Sequence, residues 1–386
     1  EFLGARGYAT AGFVANTLYC ATDSGLDRGF ARYRDYIFPR LTPLKPAALV
    51  DRTVSGLQAL EQYLEDRLDF EPLRPAVQHL WWLVNADRKE AAEVNREFLD
   101  WLSRRPQPQR PFFAFLNYYD AHYPYQLPEI SIRRFGVEPR DQRESDLIQN
   151  WWPQDKRGLS ALEIGFVRDS YDDCVANLDE QLGRLIDDLG RRGVRDRTWV
   201  IIAADHGESF GEHAGVFCHG TSLYQTELHV PLVILPPDGK PSGRVVKETV
   251  SLRDLAATVV DLVGLEVGSP FPGESLSRLW NSPAAPADPI SAGQALAEVV
   301  PNDPVLNPDR SRWLEAHWPL AALTEGDWSY IRREGDVHEE LFHLRNDPKE
   351  THNLVADPAV QLQLARMRGT LSQLTAGPLT PQRFHP

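Results

Sequence analysis

The segment Thr198-Trp-Val-Ile-Ile-Ala-Ala-Asp205-His206-Gly207-Glu208 constrains the fold more than any other stretch. A β-branched and apolar run stops abruptly on an acid, a histidine and a glycine. Trp199 to Ala204 therefore reads as a buried parallel strand with polar residues at its carboxyl end. Open α/β sheets put their ligand sites outside such strand ends. Asp205 offers a hard oxygen and His206 a borderline nitrogen. The two can turn toward one divalent cation from a loop that Gly207 lets bend. The bland alternative is a strand, a turn and a surface histidine, and these residues alone do not separate the two.

Composition narrows the class. The 386 residues suffice for a large core, or for one large and one small domain. A hydrophobic content of 42% and a charged content of 25% are those of a soluble globular protein. The net charge of −14 argues against nucleic-acid binding, which relies on basic patches. It leaves room for an anionic ligand, because a bound metal and a few basic groups can reverse the potential inside a cleft. No run is long enough to span a membrane. The three cysteines are widely spaced and form neither a CxxC nor a disulfide framework.

Periodicity gives the order of elements. Tyr8 to Asn16 reads as a strand with Gly12 as its weak point, Val50 to Asp69 and Ala86 to Arg105 as helices, and Phe112 to Tyr119 as a buried strand. Residues 123–158 read as a long insertion. Tyr171, Val175, Leu178, Leu182, Leu185, Ile186 and Leu189 form a helical stripe, which the Trp199–Ala204 strand follows. Strand, helix, strand implies a parallel sheet with crossover helices. The Pro- and Ala-rich residues 281–291 read as a linker. Beyond it, Trp328–Arg333 and Glu340–Leu344 flank a Glu-Gly-Asp turn as an antiparallel hairpin, and Val360–Leu374 forms a closing helix.

After the first strand-end motif come Gly211-Glu-His213, His219-Gly220, Leu223-Tyr224 and His229-Val-Pro231-Leu. In this order the residues resemble the sulfatase family of the alkaline phosphatase superfamily. Gly7-Tyr-Ala-Thr-Ala11 resembles that family's early strand, and His122-Tyr-Pro124-Tyr125 its His-x-Pro-Tyr loop. Ser251 to Leu265 resembles the helix after the site, and Glu340 to Leu354 the C-terminal signature. The resemblance implies an alkaline-phosphatase-like α/β fold with a mixed, largely parallel sheet flanked by helices, and a small C-terminal α+β subdomain. On that basis residues 1–280 are expected as the catalytic domain, 281–291 as the linker and 292–386 as the subdomain.

The resemblance also implies an activity, metal-dependent hydrolysis of a small-molecule or saccharide sulfate ester. Asp205 and His206 are expected to hold one divalent cation, calcium foremost, with manganese, magnesium and zinc as alternatives. His122 and His219 are expected as catalytic contacts, and Tyr125 and His213 as substrate contacts. His219 also stands open to a second reading, as a ligand in a two-metal, phosphatase-like site. His213 and Glu212 can equally cap a turn, and His229, His338, His343 and His352 read as structural or solvated. The family's Asp-Asp pair and its Cys/Ser-x-Pro-x-Arg nucleophile have no counterpart here. Cys20, Cys174 and Cys218 all lack that setting. The chain is accordingly expected to be an incomplete copy that is inactive alone. The competing expectations are a phosphodiesterase or phosphonate monoester hydrolase of the same superfamily, and a non-catalytic binding module.

Overall fold

The computed structural model describes residues 1–16, 19–35, 89–128, 131–152, 154–213, 215–220, 222–237, 243–265, 270–281, 293–299, 319–333 and 338–375. The expected helix over Val50–Asp69, most of the linker at 281–291 and the Glu-Gly-Asp turn lie outside them. Internal contacts divide the chain into two units, Glu1–Arg191 and Arg192–His385.

The first unit is built on a three-stranded parallel sheet. Strand β1 (Ala9–Val14) lies between β2 (Arg32–Arg34) and β3 (Phe112–Asn117). Gly12, the apparent weak point of β1, is required by its neighbour: a Cβ there would meet the Tyr33 ring at 2.4 Å. Helix α1 (Ala91–Ser103) sets Val94, Phe98 and Leu102 at four-residue spacing, and all three are buried. Phe98 and Trp101 meet Phe13 of β1 edge-on, with centroids 5.9 and 6.0 Å apart. Helix α1 thus supplies the crossover cover expected between parallel strands.

The expected insertion carries a helix of its own, α2 (Gln142–Gln149). Helix α3 runs from Ala161 to Arg191 and begins well before the stripe that starts at Tyr171. Its start is marked by a capping box. The Glu163 carboxylate accepts from Ser160 N at 2.8 Å, and the Ser160 hydroxyl accepts from Glu163 N at 3.3 Å. The buried face runs through Val167, Ser170, Cys174, Leu185 and Leu189, whereas Val175 is exposed. Asp173 lies on this face because it is fully paired. Its carboxylate accepts from the backbone of Arg134, Phe135 and Gly136 and pins the insertion to α3.

The second unit begins with β4 (Val200–Ala203), one residue shorter at each end than the expected strand. It pairs in antiparallel register with β7 (Leu232–Leu235) among the described residues, so the parallel neighbour expected of this run is replaced there by an antiparallel one. Between them lie the short hairpin of β5 (Ser209–Phe210) and β6 (Phe217–Cys218), and the single turn α4 (Gln225–Leu228). Helices α5 (Leu255–Leu262) and α6 (Arg278–Asn281) follow.

A four-stranded antiparallel sheet then forms from β8 (Gln294–Val299), β9 (Leu320–Glu325), β10 (Trp328–Arg333) and β11 (Glu339–His343). The pairing of β10 with β11 is the expected hairpin. One face of the sheet buries Leu323, Tyr330 and Leu341 against Leu364, Met367 and Leu371 of α7 (Gln361–Leu374), the expected closing helix. Each such aliphatic side chain contributes about 1.5–3 kcal/mol when fully buried. Another cluster joins Ala322, Ile331 and Phe342 to Leu223, with Tyr224 and Leu228 packed against it. The C-terminal sheet therefore fixes the base of the turn that carries α4.

Candidate active site

The residues after β4 leave the strand in a tight turn. Gly207 is required there by close approach, since a Cβ would stand 2.1 Å from the Thr226 carbonyl oxygen. Its N–H donates to the Glu227 carbonyl at 2.8 Å, which ties the turn to α4. Asp205 is left with a carboxylate that is 91% exposed. His206 Nε2 lies 3.8 Å from Asp205 Oδ2.

The β5–β6 hairpin brings His219 back beside His206. Their imidazoles stack with centroids 4.0 Å apart and planes inclined by 21°. Each ring is fixed through Nδ1. His206 Nδ1 is 2.8 Å from the Gly207 carbonyl, and His219 Nδ1 is 2.9 Å from Glu208 Oε2. A carbonyl and a carboxylate only accept, so both Nδ1 atoms carry a proton and Nε2 is the nitrogen each ring presents. The Glu208 carboxylate is nearly buried, which strengthens its hold on His219.

His213 is placed differently. Its ring stacks on Tyr224 with centroids 3.5 Å apart and planes 6° apart. Burial holds its pKa below the ordinary histidine value, and the same packing, with the nearby Glu340 carboxylate, raises that of Tyr224. Glu212 accepts from Phe210 N at 2.6 Å and so closes the hairpin turn, the simpler of its two expected roles. His229 is exposed at the end of α4. His343 packs edge-on to Trp328, and His338 lies 3.3 Å from Glu340.

In the first unit, the loop after β3 carries His122 and Tyr125. Asp120 is buried and accepts from Ala91 N at 2.9 Å, which joins the loop to the N-terminus of α1. The His122 ring stacks on Tyr119 with centroids 4.1 Å apart. Its Nδ1 is 2.7 Å from the Tyr123 carbonyl and its Nε2 is 3.3 Å from the Tyr119 hydroxyl. His122 thus shares the Nδ1-protonated form of His206 and His219. The Tyr123–Pro124 peptide is cis. Tyr125 is wholly buried and meets Tyr171 of α3 edge-on at 5.5 Å.

Two residues of this arrangement, Glu208 and Glu227, received no role in the sequence reading. Glu208 was visible as part of the Asp-His-Gly-Glu run, but no local spacing announces a bond to a histidine eleven residues on, just past β6. Glu227 sits in an amphipathic stretch where a buried carboxylate has no sequence signal at all.

A sulfatase family model matches residues 1–265, more than half of the chain. The chain belongs to the sulfatase family. Arylsulfatase K of Xenopus laevis is 29% identical over 205 residues, which cover 52% of this chain and 36% of that protein. Choline-sulfatase of Rhizobium meliloti (strain 1021) is 28% identical over 266 residues, covering 66% and 48%. The chain therefore spans about half or less of the length of these curated relatives. Phosphonate monoester hydrolase of Agrobacterium radiobacter superposes with a TM-score of 0.56 at 22% identity, over 74% of this chain and 60% of that one. At such identity the likeness speaks to the fold, and it bears out the alkaline-phosphatase-like architecture expected from the sequence.

The donor set allows a partial test of the expected cation. Asp205 and His206 supply one hard oxygen and one imidazole nitrogen with a fixed tautomer, which suits a divalent ion. Among the described residues no three His, Cys, Asp or Glu side chains are grouped to hold a metal. Two donors fit such an ion but do not complete its shell. No described helix is long and apolar enough to cross a membrane.

Proposed function

We propose that this chain carries the histidine and metal-ligand portion of a sulfate-ester hydrolase. The observation that carries the reading is the stacked His206–His219 pair, with the His206 Nε2 lying 3.8 Å from the exposed Asp205 carboxylate. Cleaving a sulfate ester requires a nucleophile, neutralisation of the non-bridging oxygens and a proton for the leaving oxygen. Asp205 and His206 would hold the cation, with calcium the ion expected first. When bound, that ion withdraws charge from the ester oxygens.

His219 and His122 do the remaining work available here. The Glu208 carboxylate supports positive charge on His219, so its Nε2 can meet an anionic oxygen or protonate the leaving oxygen. His122 is held by Tyr119 and Tyr123 for the same kind of contact. His213 is assigned to the rim of the substrate site together with Tyr224. Tyr125 serves from beneath, as packing that holds the His122 loop. The nucleophile is not among these residues: no Cys or Ser in the sequence stands two positions before a proline. The substrate class is a small-molecule or saccharide sulfate ester.

A second reading has one observation in its favour. A carboxylate on the far nitrogen of a histidine, as Glu208 is on His219, also marks metal-ligating histidines. His219 would then join a second metal, as in phosphate-ester or phosphonate hydrolysis. Metal content decides between them. The deciding preparation joins these residues to a Cys/Ser-x-Pro-x-Arg nucleophile segment, and is assayed on aryl sulfate and aryl phosphonate in parallel. Preferred turnover of the sulfate ester supports the first reading. Preferred turnover of the phosphonate overturns it.

A further inference from the structure

Glu227 lies in α4, outside every motif assigned a role above, and only 3% of it is exposed. Four bonds converge on it. Its Oε2 accepts from Gly220 N at 2.6 Å. Its Oε1 accepts from the Ser222 hydroxyl at 2.5 Å and the Ser209 hydroxyl at 3.3 Å. Its backbone carbonyl accepts from Gly207 N at 2.8 Å. Gly207 follows His206 and Gly220 follows His219. One residue therefore grips both histidine-bearing turns, each at the position next to its ring.

We infer that Glu227 is the positioning residue that sets His206 and His219 ring against ring. A buried carboxylate is costly unless several donors meet it, and three meet this one. The turn at Gly220 is left-handed, with φ at 68°, and the Cys218 backbone is left-handed at 63°. Such turns persist where their surroundings determine them. The Glu227 bond to Gly220 is one such determinant on the His219 side, and the Gly207 bond is its counterpart on the His206 side. The catalytic meaning of the pair rests on the proposed function, whereas the geometry of the pair does not.

Glu227→Gln tests the inference because it keeps shape and changes only acceptors. The amide has one acceptor oxygen where the carboxylate has two, so it cannot accept from Gly220 N–H and from the serine hydroxyls at once, and one arm of the grip loses its acceptor. The readout is the nuclear Overhauser contact between the His206 and His219 rings in the full chain labelled at histidine, with no metal or substrate added. The His343–Trp328 contact in the C-terminal sheet serves as reference, at 4.6 Å between centroids. Loss of the His206–His219 contact with the His343–Trp328 contact retained is the expected result. Retention of both, or loss of both together in a folded chain, overturns the inference. Should Glu227→Gln fail to fold, Ser222→Ala removes a single donor. A weakened histidine contact is then expected, and an unchanged one overturns the inference. Because nothing is hydrolysed in this experiment, an inactive parent enzyme would sink the functional reading and leave this result standing.

Discussion

The carboxylate of Glu208 and the imidazole of His219, eleven residues apart, meet at 2.9 Å with both groups largely shielded from water. The closing glutamate of the Asp-His-Gly-Glu run thereby fixes the ring that the β5–β6 hairpin delivers. A histidine held this way presents one nitrogen only, Nε2.

The 386 residues by themselves are expected to hydrolyse no aryl sulfate above a metal-only blank. The reason is chemical: no nucleophile of the Cys/Ser-x-Pro-x-Arg kind stands in the sequence. A continuous assay with calcium, manganese, magnesium and zinc in turn checks this. Sustained turnover by the chain would show that another nucleophile operates.

Asp205→Asn and His206→Ala are each expected to weaken divalent-ion binding by at least about tenfold, since each would remove a proposed direct donor. His229→Ala should leave binding unchanged, because His229 is exposed at the end of α4. Water-proton relaxation with manganese measures all three. Equal mild effects would mean that Asp205 and His206 only shape a turn.

In the form joined to a nucleophile segment, His219→Ala and His122→Ala are each expected to lower kcat by about 10²–10⁴-fold, the range for removing a general acid. Metal content should be unchanged in both. A metal ion lost along with activity in His219→Ala would favour the two-metal reading.

Gly207→Ala should destabilise the chain by about 1–3 kcal/mol, because the new methyl meets the Thr226 carbonyl at 2.1 Å and forces backbone apart. Gly165→Ala in α3 has open space around its Cβ and should instead stabilise by about 0.5–1 kcal/mol. Denaturant titration of the two variants gives opposite signs if the contact is as described.

Glu350 provides a pH-dependent prediction. It is buried where it accepts from Gln225 N at 2.6 Å, at the start of α4. Burial pushes its pKa up from 4.5 to about 6. The folded chain therefore holds this proton more tightly than the unfolded chain does. The resulting stabilisation is complete below about pH 4.5 and is lost as pH rises through about 6. The loss amounts to roughly 2 kcal/mol at most. Glu350→Gln should remove this component from the pH dependence of unfolding between pH 4.5 and 7. An unchanged profile in the variant would contradict the assignment.

Much of the framework was legible in the residue order. Strands and helices followed local periodicity: the strand at Tyr8–Asn16, the helix within Ala86–Arg105 and the hairpin at 328–343 each carry their signal within a few residues. The strand-end Asp205 and His206 were legible for the same reason, as an abrupt change from apolar to polar. The sequence did not disclose the antiparallel partner of β4, because both strands are short apolar runs and pairing direction is set by what the intervening chain does. Nor did it disclose that Val175 faces outward or that Tyr125 is sealed under its loop. These depend on which face of α3 meets the rest of its unit. Above all, tertiary structure alone decided how the histidines are held. The bonds of Glu208 to His219 and of Glu227 to Gly207 and Gly220 join residues from separate turns. A buried carboxylate becomes tolerable only where several donors converge on it. That convergence is a property of the folded chain, and no spacing along the sequence encodes it.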